Sequence, residues 1–453
     1  MSTISPSQSS PLRAHRGRRI LAIVAAAVIA VPGLGLGLMP VVSVAAVETQ
    51  SSWQPGPLTP RPDLTFYGRG YGHGVGMSQY GARGRALDGQ LAPAILAHYY
   101  AGTTLGTRSA TTIVRVLVLS GLAATTAKPA TIIGRGGTWT IDGIAKTFPA
   151  NAKLTLAPTA VGATSWKVTV LSSTGVTLHS GTVSTVLIVR PAAAATLLQL
   201  ASKATTTNVY RGFLRVRLTT TVMVINHLGV DAYLRGVVPL EMPASWPVEA
   251  LKVQAIAARS YALSHIHPAT GTYDLYDDTR SQVYRGQRAE NPATDAVIAA
   301  TKGSVLLKGT AVANAMFHSA DGGWTENNEN VFVSSTGSIV AGPVSYLRGS
   351  SDRAPDGTSY DKASPYATWS TATYSIDALG AILAKDARTN VGSLIRLDLS
   401  RRGVSGRLIS VTIVGSLGSK TVSGGVFRTV FNAGRPTTDP QLRGTLFDLQ
   451  PIP

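Results

Sequence analysis

Residues 234–261 read LRGVVPLEMPASWPVEALKVQAIAARSY. The second half of this segment predicts a helix. Pro247 suits the first helical turn, where its missing N–H needs no partner, and Glu249 lies beside the positive end of the helix dipole. Small apolar residues recur at i, i+4, i+7 and i+11 along one helical face, namely Leu251, Ala255, Ala258 and Ala262. This stripe predicts that the helix packs closely on a sheet.

Glu241 is the residue of this segment best suited to acid–base chemistry. It lies between two prolines that stiffen the backbone, and its other neighbours are apolar. Partial burial would raise the pKa of its carboxyl group and let it hold a proton near neutral pH. Such a group donates a proton to a leaving oxygen and then takes one back. Two structural alternatives stay open: Glu241 caps the helix that starts near Trp246, or it pairs with Lys252 or Arg259.

Lys252 and Arg259 are seven residues apart and therefore lie two turns apart on one helical face. One interpretation is a cationic face that orients a substrate or a carboxylate. The alternative is an ordinary solvated face or a structural salt bridge. The spacing alone does not distinguish between the two interpretations.

The wider chain alternates between strand and helix patterns. Short β-branched runs bounded by Gly, Thr and Ser predict antiparallel strands at 113–119, 130–133, 153–156, 166–171, 213–218, 222–226, 305–307, 313–317, 394–399 and 408–414. Further helices are predicted at 92–100, 295–302 and 376–386. We therefore predict an α+β fold, in which mostly antiparallel β-sheet lobes carry a few helices that line a cleft.

Composition narrows the chemistry. The 453 residues are 44% apolar and 14% charged, which is enough for a hydrophobic core and more than one domain or lobe. The absence of cysteine excludes disulfides, a thiol nucleophile and Cys-based zinc sites. The sequence also lacks a dinucleotide-binding glycine motif, a P-loop, a G-x-S-x-G nucleophile elbow and an H-E-x-x-H zinc motif. Carboxylate chemistry therefore remains the leading choice.

The N-terminus predicts export. An apolar run at 20–31 and small residues at 43–46 follow a cluster of four arginines. These arginines are Arg13, Arg16, Arg18 and Arg19. This pattern is typical of a signal peptide, and the alternative is an uncleaved anchor. The apolar run is shorter than the roughly 20 residues that a membrane span needs. The full chain has a net charge of +18, and cleavage after Ala46 would remove four arginines and leave 18 − 4 = +14. The exported chain is therefore expected to meet anionic wall polymers rather than nucleic acid, and a membrane only through an uncleaved N-terminal segment.

Residues 234–261 closely resemble the core signature of the stage II sporulation protein D / LytB family. Three other stretches extend the resemblance: DTRSQVYRG at 278–286, FHSADGGWTE at 317–326, and an S-P-x-x-x-W element from Ser364 to Trp369. A further family element is GYGHGVGMSQYGA at 70–82, which is followed by His98, Tyr99 and Tyr100.

This resemblance implies a lytic transglycosylase that cuts peptidoglycan between N-acetylmuramic acid and N-acetylglucosamine, with a preference for strands without stem peptides. The glutamate of the E-M-P motif, here Glu241, is then the catalytic acid/base. A single carboxylate suffices because the C6 hydroxyl of the sugar attacks C1 and leaves a 1,6-anhydro end. This differs from the two-carboxylate glycoside hydrolases.

The resemblance also implies substrate-binding roles for residues of the helix and of the other motifs. These residues are Lys252, Arg259, Tyr261, Gln282, Tyr284, His318, His73, Ser78 and Gln79. Lys252, Arg259 and Tyr261 would orient substrate, Gln282 and Tyr284 would hydrogen-bond and stack on sugars, and His318 would shape the pocket. Some relatives hold zinc through cysteines near the His318 segment, and because this chain has none we predict no metal and no other cofactor.

The order of the motifs differs from that of many relatives, in which the G-H-G-V-G-M-S-Q element follows the catalytic core. Here it precedes the core, at 70–82. If it lines the cleft, the fold must return this segment to the active site in a permuted arrangement. His73 would then be a second polar group in the cleft, and the alternative is a histidine with a purely structural hydrogen bond.

The sequence thus divides into six predicted regions: a signal peptide or anchor at 1–46, a linker at 47–63, the Gly-rich segment at 64–107, a β-rich accessory lobe at 108–210, the core at 211–435 and a tail at 436–453. The leading functional hypothesis is an exported, wall-located enzyme that cleaves peptidoglycan glycan strands. One alternative is a non-catalytic amidase enhancer that binds peptidoglycan and a cell-wall amidase. A third is a wall-binding protein that acts through its β lobe.

Overall fold

The computed structural model describes residues 63–267 and 271–452. The predicted signal peptide or anchor at 1–46 and all but the last residue of the linker at 47–63 lie outside the described residues. The described ranges contain no helix that combines the length and the apolar character needed to cross a membrane.

Helices and strands alternate along the described chain. The helices are α1 (Gln79–Leu87), α2 (Ala92–Tyr99), α3 (Val230–Arg235), α4 (Val238–Glu241), α5 (Val248–Ser264), α6 (Pro292–Ala300), α7 (Asn328–Val331), α8 (Ile376–Leu383) and α9 (Gly424–Gly434), with a 3₁₀ turn at Gly286–Ala289. The strands are β1 (Tyr67–Gly68), β2 (Met77–Ser78), β3 (Thr104–Thr107), β4 (Ile113–Leu122), β5 (Ala130–Arg135), β6 (Trp139–Ile141), β7 (Thr147–Phe148), β8 (Lys153–Pro158), β9 (Trp166–Leu171), β10 (Thr177–Val183), β11 (Val186–Pro191), β12 (Leu197–Leu200), β13 (Val209–Tyr210), β14 (Phe213–Leu218), β15 (Val222–Gly229), β16 (Leu275–Tyr276), β17 (Ser304–Lys308), β18 (Ala311–Val312), β19 (Phe317–His318), β20 (Trp369–Ser370), β21 (Leu394–Asp398), β22 (Ser410–Gly415), β23 (Gly418–Ser423) and β24 (Phe447–Asp448).

The largest sheet has seven strands in the order β16-β4-β15-β14-β11-β6-β7. Its neighbours pair antiparallel, apart from β16 and β4, which are parallel. A second sheet has six strands in the order β10-β9-β8-β5-β12-β13. Side chains from both sheets enter one hydrophobic core, in which Trp139 and Trp166 are fully buried. The predicted α+β class with mostly antiparallel sheets is confirmed.

The stretch predicted as an accessory lobe, 108–210, contributes to both sheets. Strands β4 and β11 from this stretch pair with β15 and β14, which belong to the predicted core. The boundary predicted between residues 210 and 211 therefore passes through the seven-stranded sheet rather than between two independent units.

Helix α5 buries the predicted small-residue stripe, since Leu251, Ala255, Ala258 and Ala262 are all buried. The helix contacts α1, α2, α3, α4 and α6 and the strands β17 and β18. Small residues allow this close approach. The expectation that the helix packs on a sheet is therefore correct for β17 and β18, whereas its remaining contacts are with helices.

A second hydrophobic core lies in the C-terminal part of the chain. It is built by α8, α9 and the three-stranded sheet β21-β22-β23. Strand β1, from the first described residues, pairs antiparallel with both β20 and β24. Phe66, which immediately precedes β1, is fully buried in this core. This pairing fixes the start of the described chain against its C-terminal segment and so positions the Gly-rich segment that follows β1.

Candidate active site

A cleft of about 280 Å³ is lined by four stretches that are separated in sequence. Its lining residues are Tyr71, Gly72, His73, Gln79, Glu241, Thr279, Ser281, Val283, Phe317, His318 and Ser319. The Gly-rich segment reaches this cleft because β2 pairs in parallel with β19 and because Tyr71 bridges Ala320. The structure thus places residues 71–79 beside Glu241.

Two glycines make the approach of these segments possible. Gly72 and Gly76 have φ values of 111° and 69°, in the region that side chains disfavour. A Cβ atom at Gly76 would lie 2.2 Å from the carbonyl oxygen of Met316, and one at Gly72 would lie 2.9 Å from Cβ of His318. Larger residues at these two positions would separate β2 from β19.

Glu241 lies at the end of the short helix α4 and is partly buried. Its Oε1 accepts a hydrogen bond from the backbone N–H of Val283 at 3.2 Å, and its Oε2 accepts one from Nε2 of Gln79 at 3.3 Å. Burial raises the pKa of Glu241, although these two hydrogen bonds lower it in part. Among the described residues that line the cleft, Glu241 is the one carboxylic acid.

The structural alternatives for Glu241 do not hold. Lys252 forms its ion pair with Glu249 at 2.7 Å, and Arg259 forms its ion pair with Asp231 at 2.6 Å. Helix α5 has Pro247 at its N-cap and no side chain capping it. The carboxyl group of Glu241 is therefore held by Gln79 and Val283, on the wall of the cleft.

Gln79 links the Gly-rich segment to the acid. Its Nε2 group donates hydrogen bonds both to Glu241 and to Oε1 of Gln254, each at 3.3 Å. Ser78, the preceding residue, is fully buried, and its Oγ accepts a hydrogen bond from the N–H of Gly81 as the N-cap of α1. The predicted substrate contact of Ser78 is therefore wrong, because its side chain is used to start the helix that positions Gln79.

His73 and His318 meet in the cleft, with ring centroids 5.2 Å apart. The N–H of Val75 donates to Nδ1 of His73 at 3.0 Å, and Nδ1 of His318 donates to the carbonyl oxygen of Val75 at 3.2 Å. Burial and the charge of Arg407 lower the pKa of His73 to about 4. Burial, His73 and Arg407 hold the pKa of His318 well below its usual range. Both rings are therefore neutral near pH 7, and Glu241 is left as the acid of the cleft.

Residues 219–307, which include Glu241, match the family model described as stage II sporulation protein, SpoIID. We refer to this matched segment as the SpoIID domain. An amidase enhancer of Bacillus subtilis is 37% identical over 146 residues, which is 31% of this chain and 20% of that protein. Stage II sporulation protein D of the same organism is 35% identical over 130 residues, 24% of this chain and 37% of that protein. An uncharacterized protein of Brachyspira hyodysenteriae is 37% identical over 114 residues, 25% of this chain and 31% of that protein.

The matches confirm the resemblance to this family, and they are confined to part of each protein. The chain covers between 20% and 37% of the length of these relatives. The SpoIID domain supplies Glu241 and Val283 to the cleft, whereas His73, Gln79 and His318 come from outside the matched residues.

Arg259 of the SpoIID domain does not reach the cleft. Its side chain is 0% exposed, its Nε donates to Oδ1 of Asp231 at 2.6 Å, and its Nη1 donates to the carbonyl oxygen of Ser304 at 3.0 Å. The predicted substrate contact is wrong, because a guanidinium enclosed by α3, α5 and β17 cannot touch a ligand in the cleft. The structural salt bridge, the alternative interpretation, is what the structure contains. Lys252, paired with Glu249 and partly exposed, does not line the cleft either.

Gln282 and Tyr284 are also buried away from the cleft, with 1% and 2% of their surface exposed. Gln282 accepts a hydrogen bond from the hydroxyl of Tyr233, and the Tyr284 hydroxyl donates to Oδ1 of Asn226. Their predicted sugar contacts are therefore wrong. Burial alternates along 281–284, so the neighbouring residues Ser281 and Val283 line the cleft instead. The sequence shows no matching alternation of polar and apolar residues, because polar Gln282 is buried while apolar Val283 lines the cleft, so local pattern could not have identified Ser281 and Val283.

Tyr261 is partly buried at the C-terminal end of α5, where its ring stacks on His265 with centroids 4.2 Å apart. It contacts the cleft residue Phe317 edge-on at 6.4 Å without lining the cleft itself. Within the described ranges, no group of three or more His, Asp or Glu side chains is arranged to hold a metal ion.

Proposed function

We propose that this chain is an exported lytic transglycosylase that cleaves peptidoglycan between N-acetylmuramic acid and N-acetylglucosamine, with Glu241 as its single acid/base. The observation that carries this proposal is the place of Glu241: a partly buried carboxyl group of raised pKa, in a cleft, within a SpoIID domain. A carboxyl group that keeps its proton near neutral pH is suited to start such a reaction.

The first step is protonation of the glycosidic oxygen by Glu241 as the bond from that oxygen to C1 breaks. The carboxylate that remains is stabilised by the N–H of Val283 and by Nε2 of Gln79, which already bond its two oxygens. These two donors favour the charged form that exists only after proton transfer.

The second step returns the proton. The C6 hydroxyl of the N-acetylmuramic acid residue attacks C1 of that same residue, and the hydroxyl proton passes to the Glu241 carboxylate. A 1,6-anhydro ring closes as a result. No water is consumed, and Glu241 ends the cycle protonated as it began. Because one carboxyl group serves both steps, the cleft needs no second acid of the kind that glycoside hydrolases use. The neutral rings of His73 and His318 can accept hydrogen bonds from sugar hydroxyl groups or donate hydrogen bonds to them. Because the rings carry no extra proton near pH 7, they do not compete with Glu241 as the proton donor.

The test is the variant Glu241→Gln on peptide-free glycan, with 1,6-anhydro ends quantified by mass spectrometry. General acid–base catalysis contributes about 10²–10⁴-fold, so the rate is expected to fall by at least about 100-fold. Glu249→Gln is the matched control, because Glu249 is a half-buried glutamate of the same domain that lies outside the cleft. Equal product from Glu241→Gln and from the wild type would exclude Glu241 as the acid/base.

A second candidate function is that of a non-catalytic amidase enhancer that binds peptidoglycan and a cell-wall amidase. The amidase enhancer that is 37% identical over part of its length favours it. One experiment distinguishes the two functions. The activity of a purified amidase is measured in the presence of the wild-type chain and in the presence of the variant Glu241→Gln. Equal stimulation by both, with no anhydro ends, would support the enhancer and contradict the transglycosylase.

The proposed substrate lies outside the cytoplasmic membrane, so the proposal requires export to the cell wall. The arginines at 13–19, the apolar run at 20–31 and the net charge of +18 support that location. N-terminal sequencing of the protein recovered from the wall fraction tests it, and recovery from the cytoplasm alone would contradict it.

A further inference from the structure

A pair of tyrosines forms one rim of the cleft. Tyr71 lines the cleft and is 38% exposed. Its ring meets that of Tyr366 edge to face, with centroids 4.8 Å apart and an interplanar angle of 69°. The N–H of Gly70 donates to the carbonyl oxygen of Tyr366 at 2.9 Å, which fixes the two backbones together. The cleft therefore continues from Glu241 onto an aromatic surface.

Arg443 completes this rim from the segment that the sequence predicted to be a tail. Its guanidinium carbon lies 4.8 Å from the ring centroid of Tyr366 and 5.8 Å from that of Tyr71. Its carbonyl oxygen accepts hydrogen bonds from the N–H of Gly72 at 3.3 Å and from Nη1 of Arg428 at 3.2 Å. Gly72 itself lines the cleft, so the backbone of Arg443 is tied directly to the cleft wall.

The charge of Arg443 has no carboxylate partner within residues 63–267 and 271–452. Some other arginines of the protein do have such a partner: Arg85, Arg211 and Arg348 lie 2.8, 2.5 and 2.7 Å from a carboxylate oxygen. An arginine held over aromatic faces keeps its N–H groups in a planar fork that matches a carboxylate. The cleft rim thus combines apolar ring faces with a positive group able to bind an anion in bidentate fashion.

We propose that Tyr71, Tyr366 and Arg443 form a subsite for an N-acetylmuramic acid residue whose lactyl group carries a free carboxylate. This inference rests on the proposed function, which makes a muramic-acid strand the ligand of the cleft. The sugar packs on the tyrosine rings, and its lactyl carboxylate bonds to the guanidinium of Arg443. A stem peptide converts that carboxylate into a neutral amide, so the subsite selects strands without peptides.

The test compares two probes: peptide-free glycan oligosaccharides, and the same oligosaccharides with every lactyl carboxylate converted to its methylamide. Because only the first probe forms a charge-assisted pair with arginine, wild-type protein is expected to bind it at least about tenfold more tightly. Arg443→Gln is expected to abolish that preference. Arg396→Gln removes an exposed arginine elsewhere and is expected to retain it, which controls for the general positive charge.

An unchanged preference in Arg443→Gln would overturn the subsite. Arg443→Met, which keeps a long side chain over the tyrosine rings and removes the charge, serves if the glutamine variant does not fold, and an unchanged preference there would overturn the subsite equally. The proposed function fails separately, if the wild type binds the first probe selectively and yields no 1,6-anhydro ends. If the wild type cleaves glycan and all variants share its preference, the subsite alone is wrong.

Discussion

The protonation state of Glu241 is set by opposing effects at a single residue. Burial raises the pKa of the carboxyl group, and the hydrogen bonds from Val283 and Gln79 lower it. The proposed reaction needs the protonated form in the free enzyme, so kcat/KM should fall as the pH rises through the pKa of Glu241. Removal of one of the two hydrogen bonds should therefore change the pH at which kcat/KM declines.

Gln79→Ala is expected to shift the alkaline limb of the kcat/KM profile to higher pH. The reason is that the Gln79 amide stabilises the carboxylate, and its loss raises the pKa of Glu241 further. The profile is measured by formation of 1,6-anhydro ends, with the exposed Gln441→Ala as control. A limb that stays in place, or moves to lower pH, would show that Gln79 does not act through the pKa of Glu241.

Among the helices, α5 shows how far the sequence could lead. The N-terminal proline and the small-residue stripe predicted its position and its buried face. The spacing of Lys252 and Arg259 predicted a shared face, yet it carried no information on what packs there. Near Arg259 the helix is enclosed by α3 and β17, whereas Lys252 stays partly exposed beside Glu249. The seven-residue spacing therefore joins two residues in different environments, one enclosed by other elements and one partly exposed.

Arg259→Ala is expected to destabilise the protein rather than to weaken glycan binding. Loss of one partner of a buried ion pair costs about 3–5 kcal/mol, because the other charge is left without its counterion. Arg280→Ala breaks the exposed pair with Asp278 and should leave the free energy of unfolding almost unchanged, because solvent screens that pair. Urea unfolding measures the free energy of unfolding of both variants and of the wild type. A variant Arg259→Ala of wild-type stability with a raised KM would restore the substrate-orienting interpretation.

Other elements escaped prediction for a physical reason. Helix α1 contains Gly81 and Gly84, which lower its intrinsic helix propensity. Both glycines are required by packing, since a Cβ atom at Gly81 would lie 2.0 Å from Oδ2 of Asp352 and one at Gly84 2.1 Å from the carbonyl oxygen of Tyr360. The strand predicted at 313–317 is reduced to the two residues Phe317–His318, which pair with β2 alone. Both differences depend on distant segments that local patterns do not reveal.

At the scale of the whole molecule, the cleft depends on contacts between the two ends of the described chain. Strand β1 lies between β20 and β24, so the Gly-rich segment that follows it is positioned by C-terminal residues. The family motifs identified Glu241, Gln79, His73 and His318, which the fold brings together. The motifs could not identify Arg443, because its place at the cleft follows from the pairing of Gly72 with residues 443–444. The functional roles of these residues stay predictions.

The predicted tail at 436–453 is part of the second core. Phe447 is fully buried, and its ring lies 5.3 Å from that of Phe66 and 5.8 Å from that of Phe427. Leu442, also from this segment, is buried in the same cluster. Removal of the segment would expose the aromatic core and take away β24, the partner of β1.

A chain that ends at Arg435 is therefore expected to lose both stability and the cleft. Loss of a buried Phe side chain alone costs about 3–5 kcal/mol, which lowers the Tm by roughly 5 °C in a protein of this size. A chain that ends at Gln450 keeps Leu442, Arg443 and Phe447 and should melt as the full chain does. Thermal unfolding of the three chains, together with binding of peptide-free glycan, gives the answer. If the chain ending at Arg435 keeps the full Tm and binds glycan normally, the C-terminal segment neither stabilises the second core nor positions the Gly-rich wall of the cleft.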